Sequence, residues 1–214
     1  MPALPPLPPL CSFGHIASYP ELIEIWGHRS AVTPFGTDYG LSRRLRPNVY
    51  VCAHLSDDEL LAARCGGRLD CVSALAALGV LVAATADDGA LHLRLAPNDG
   101  RSSARRFGAA RLIRAHWSVP RFPLPTIDET RRAAHAGAPI SRVTMPASDA
   151  LRQALRTCLA PAEGAAVIAD LLDKGLLSAD QLARVIASTS HPVRSRTREA
   201  GLPVEVDDAL ARRA

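Results

Sequence analysis

The chain has 214 residues, 48% of them hydrophobic and 21% charged, and a formal net charge of +4. The apolar fraction is too high for a globally disordered chain, and the length corresponds to one or two domains. No stretch approaches the ~20 uncharged apolar residues of a membrane helix. The opening MPALPPLPPL lacks the Lys or Arg of a signal peptide and is too rich in proline for its helix, so a protein of the cytoplasm is expected.

The five cysteines (Cys11, Cys52, Cys65, Cys71, Cys158) are odd in number, irregularly spaced and contain no C-x-x-C, which argues against a disulfide framework and a zinc finger. Of the 25 basic residues all but Lys174 are arginine. Their distribution is uneven. Residues 91–158 hold twelve arginines against four acids, whereas 54–90 hold two against six. The middle of the chain therefore offers a surface for an anionic partner.

Residues 1–15 read as a disordered, proline-rich tail with P-x-x-P spacing and polyproline II character. Order is expected from Ser18, which with Glu21 fits the S-x-x-E capping box. Leu22, Ile23 and Trp26 then share one face, and Gly27 stops the helix. A second short helix is placed in Arg29–Gly40, with Thr33 as its cap and Pro34 as its first residue. LSRRLRPNVYVCAHL alternates as a hairpin with Leu45, Val49 and Val51 inward and Pro47-Asn48 as its turn.

Ser56 caps a helix in DDELLAARCGG, and CVSALAALG is a short apolar helix followed by strand-like VLVAA. LHLRLAP has period two, which puts Leu91, Leu93 and Leu95 on one face and His92 and Arg94 on the other. RLIRAHWSV is a further strand, separated from it by the basic loop NDGRSSARRFG. The five prolines of 118–146 make that stretch an irregular connection. Helices follow over Ser148–Leu159, with Leu151, Leu155 and Cys158 on one face, and from Pro161 to Gly175, with Val167, Ile168, Leu171 and Leu172. A second capping box, Ser178 and Gln181, opens a helix carrying Leu182, Val185 and Ile186. Beyond His191 the chain turns basic and polar.

Helix, turn, helix and basic hairpin is the element order of a winged helix-turn-helix. Together with GGRLDCVSALAALGVL, LHLRL, RLIRAHWS and the helical hairpin DALRQALRTCLAPAEGAAVIADLLDKGLLSADQL, it resembles the actinobacterial AbiEi-family antitoxins of type IV toxin–antitoxin systems over roughly residues 16–190. The resemblance implies an α+β protein with an N-terminal winged helix-turn-helix (16–55), then a small mixed strand and helix domain ending in a helical hairpin (56–190) and a C-terminal tail (191–214). It implies a regulator that binds double-stranded DNA at the promoter of its own operon. It also implies a nucleotidyltransferase-like toxin counteracted without stable contact. The family's second helix and wing are rich in Arg, whereas Thr33–Tyr39 has no basic residue; the wing turn is usually Gly, and here it is Asn48.

The DNA-contact candidates are Arg29, Thr33, Thr37, Arg43, Arg44, Arg46 and Tyr50, with Arg101, Arg105 and Arg106 as a secondary basic surface. REAGLPVEV resembles the start of the nuclease-like domain that many relatives carry. Glu199, Glu205, Asp207 and Asp208 lack a following Lys, so no working nuclease and no catalytic residue are expected. His54, Cys65, Cys71 and the His116-Trp117 pair read as packing groups, and neither a metal nor another cofactor is expected. The alternative is a cut-down relative whose basic middle block and C-terminal helices bind a protein partner without a DNA role.

Overall fold

The computed structural model describes residues 10–27, 43–82, 89–95, 112–117, 125–136 and 140–213. These residues form an α+β structure with nine α-helices and two three-stranded sheets. The chain divides into two compact units, each built from separated stretches. One comprises residues 1–68, 95–108 and 117–143, and the other 69–94, 109–116 and 144–214. A sequential division at residues 55 and 190 does not describe this arrangement, because the chain returns to the first unit before it completes the second.

The first unit begins earlier than the proline-rich opening suggests. Leu10–Phe13 form a 3-10 turn whose Leu10 and Phe13 are buried, so residues 10–15 are part of the fold. Strand β1 (Ile16–Ser18) follows and leads into helix α1 (Tyr19–Trp26). Ser18 Oγ accepts from the Glu21 amide while the Glu21 carboxylate accepts from the Ser18 amide, which satisfies two of the helix's first backbone donors. Gly27 closes α1 in the left-handed conformation at φ 68°. The proposed helix within Arg29–Gly40 lies outside the described residues.

Strands β2 (Arg43–Arg46) and β3 (Val49–Val51) form an antiparallel hairpin, and β1 pairs antiparallel with β3, giving the order β1-β3-β2. Asn48 turns the hairpin at φ 61°, a left-handed conformation that Asn tolerates better than most side chains. The register slips between Arg44 and Arg46, so Leu45 is the extra residue of a bulge. Val51 is fully buried, whereas Leu45 and Val49 are half-buried. Helix α2 (Asp57–Arg64) carries the capping box of Ser56 and Glu59 and three acids in its first turn.

Helix α4 (Ile127–His135) corrects the reading of 118–146 as irregular throughout. Its capping box, Thr126 and Glu129, is legible as T-x-x-E, but the surrounding prolines mask it. Leu10, Phe13, Leu22, Trp26, Val51, Leu60, Ile127 and Val143 pack into one core. Arg142 fastens the returning segment. Its guanidinium donates to the Ile16 carbonyl at 2.8 Å and to Glu21 at 2.7 Å, and its backbone amide donates to the Gly14 carbonyl. A Cβ on Gly14 would sit 2.6 Å from Arg142 Cγ, and the φ of +81° there independently favours glycine.

The second unit holds a sheet of β4 (Arg68–Leu69), β5 (Leu91–Leu95) and β6 (Ile113–Trp117) in that order, and the chain passes between units at the ends of these strands. Val80, Leu81 and Val82 are not in a strand, which corrects the strand-like reading of VLVAA for its described part. Its helices are α3 (Cys71–Ala77), α5 (Ala147–Thr157), α6 (Pro161–Asp173), α7 (Ala179–Ala187), α8 (His191–Glu199) and α9 (Val204–Ala211). Helix α3 packs on α5, α5 on α7, α8 on α6 and α9 on α7. Residues after His191 are therefore not a loose tail: Thr197, Val206, Ala209 and Leu210 are buried.

Candidate nucleic-acid interface and cysteine–histidine clusters

The basic hairpin is the part of the expected DNA surface that the structure describes. Arg43, Arg44 and Arg46 occupy β2, opposite Val51, Tyr50 and Val49 respectively. Arg44 is exposed, available to an anionic backbone. Tyr50 is half-buried and packs against the core of the first unit, so its ring is in part structural. The hairpin turn is tied to the start of α1, because the Tyr19 amide donates to the Asn48 carbonyl at 3.0 Å. Arg29, Thr33 and Thr37, like Arg101, Arg105 and Arg106, lie outside the described residues.

Two groups of cysteine and histidine side chains stand out, one in each unit. In the first, Cys11 Sγ lies 3.1 Å from Cys52 Sγ and 3.3 Å from His54 Nδ1, and His15 Nδ1 lies 3.2 Å from Cys52 Sγ. His15 has a positive φ of 72°. Its hydrogen bond with Cys52 holds the imidazole pKa above its ordinary value, against the opposing effect of burial.

No protein-family model, curated protein or solved structure matches this chain.

In the second unit, Cys71, His92, His116 and Cys158 place their ligand atoms within 4.8 Å of one another. Each comes from a different element: the first residue of α3, the second of β5, the penultimate of β6 and the C-cap of α5. The backbone explains the convergence. The Asp70 amide donates to the His92 carbonyl at 2.9 Å, and Ser73 Oγ accepts from the His92 amide at 3.0 Å. Those two bonds hold the start of α3 against β5. Asp70 itself is buried and ion-paired with Arg94 at 2.7 Å. Burial pushes its carboxyl pKa up more than that arginine draws it down.

His92 Nδ1 is 3.0 Å from His116 Nε2 and 3.5 Å from Cys158 Sγ. His116 Nδ1 faces the Gln153 side-chain amide at 3.1 Å. The Cys158 thiol is driven well below the usual range, first by its hydrogen bond with Cys71 and then by those with both histidines, against burial. Cys71, the donor of that bond, is correspondingly pushed up. His92 is buried rather than outward, because β5 is covered on both faces from Leu91 to Leu93. Alternation along LHLRL therefore misassigns it, and spacings of 21, 24 and 42 residues between the four positions match no short motif.

Proposed function

We propose that this chain is a DNA-binding, antitoxin-like transcriptional regulator that represses its own operon, with a winged helix-turn-helix in its first unit. The observation that carries the reading is the β1-β3-β2 sheet, in which α1 follows the first strand and an arginine-bearing hairpin forms the other two. The sheet supports a wing that lies along phosphates, beside a second helix in the major groove; that helix, expected within Arg29–Gly40, lies outside the described residues. Arginines on β2 position the protein on the duplex, and sequence is read elsewhere, since phosphate contacts carry no base information. The antitoxin role, and a nucleotidyltransferase-like toxin counteracted indirectly, follow from the family resemblance alone.

Fluorescence anisotropy over a salt series, with DNA from upstream of the gene and a scrambled duplex, tests this. About three phosphate contacts give a log–log slope near −2.7, from about −0.9 per contact. Replacing Arg43, Arg44 and Arg46 with Ala should flatten the slope toward zero. Absence of binding at low salt overturns the reading in favour of a protein-interaction module, which a stoichiometric co-purifying partner would identify.

A further inference from the structure

We propose that Cys71, His92, His116 and Cys158 form a structural zinc site that joins the strands of the second unit to its helices. This inference is independent of DNA binding and departs from the sequence-based expectation of no metal.

Four soft or borderline ligand atoms converge here from four separate elements, and Cys2His2 is a composition of closed structural zinc sites. The spacing fits such a site. With Zn–N near 2.0–2.1 Å and Zn–S near 2.3 Å, the edges of a tetrahedron are about 3.3 Å for N–N and about 3.6 Å for N–S. The observed edges are 3.0 Å between His92 Nδ1 and His116 Nε2 and 3.5 Å between His92 Nδ1 and Cys158 Sγ. His92 would ligate through Nδ1 and His116 through Nε2. His116 Nδ1 would then donate to the Gln153 carbonyl oxygen, the kind of outer contact that fixes the tautomer of a ligating histidine. The adjacent amide nitrogen and oxygen are interchanged by a simple flip.

Charge points the same way. Zinc with two thiolates and two neutral imidazoles carries no net charge, so the complex suits a site whose Cys71, His92 and His116 are buried. Ligation needs both sulfurs as thiolates, so the thiol protons of Cys71 and Cys158 pass to solvent as their sulfurs bond the metal. Cys71 also has a φ of 54°, in the left-handed region that a non-glycine residue adopts where its surroundings impose it.

The test uses the full chain, isolated under reducing conditions, with elemental analysis for zinc and titration with Co²⁺ as a spectroscopic stand-in. We expect tetrahedral d–d bands and thiolate-to-cobalt charge transfer of an S2N2 site. Cys158→Ser and His116→Ala should lose that spectrum and one metal equivalent. A Cys11→Ser, Cys52→Ser double variant, which alters only the first unit's cluster, should keep it. Because ligand variants can misfold, Gln153→Ala supplies a second arm. It removes no ligand and should weaken zinc about 10- to 100-fold while the spectrum keeps its shape. Wild-type protein that takes up no metal, or Cys158→Ser and His116→Ala variants with wild-type stoichiometry and spectrum, would overturn the proposal.

Discussion

Glu21 serves two partners with one carboxylate. One oxygen closes the capping box at the Ser18 amide, and the other pairs with the buried Arg142 guanidinium at 2.7 Å. Burial works against its charge, but the Arg142 and Ser18 bonds outweigh that and hold its pKa below the usual 4.5. A carboxyl lowered in the folded state contributes stability above its unfolded pKa and loses it as pH falls through the folded one. Glu21→Gln should therefore cost about 2 kcal/mol at neutral pH, the scale of a hydrogen bond to a charged group. The gap between variant and wild type should close on acidification below pH ~4; urea unfolding at several pH values measures both. The Ser18–Glu21 box is legible from S-x-x-E spacing. Arg142, 121 residues away, is not, because local pattern carries no information about which distant segment returns.

At the scale of elements, capping chemistry is the most readable signal in this chain. Ser18 and Ser178 each cap the helix that their spacing predicts, and Ser56 caps the helix that it precedes. Thr126–Glu129 obeys the same rule but is hidden by the density of prolines around it. Thr126→Ala should cost about 1 kcal/mol, with loss of α4 helicity and of its packing on the 3-10 turn, visible by chemical denaturation and by proteolysis. Strands are harder to read. Period-two alternation presumes one wet face, and β5 has none over Leu91–Leu93. Strand β1 has only three residues and draws its identity from pairing with β3, so no local periodicity announces it.

At the scale of the whole molecule, both units are discontinuous in sequence. The boundaries at residues 55 and 190 that the resemblance implies are not those of these units, whereas the α+β class is readable from the mixture of periods. The cysteine–histidine group of the second unit shows the same limit. Cys71 and His116 are each recognisable as chemistry-bearing, but only the sheet and α5 bring them to His92 and Cys158. With the proposed zinc bound, chelation should accelerate amide exchange in α3, β5, β6 and α5. Amides of α1 and the β2–β3 hairpin should keep their protection, and exchange mass spectrometry with and without chelator separates the two sets.

Lys174 is the sole lysine of the chain. Its Nζ donates to the Gly79 carbonyl at 2.6 Å and to Asp170 at 2.7 Å, while Asp170 also accepts the Leu81 amide. One ammonium thus holds the turn that follows α3 and neutralises the carboxylate that ties Leu81 to α6. Acetylation there would strip both contacts in a single event. Every side-chain acylation this protein can undergo at lysine is consequently concentrated on one clasp of its second unit.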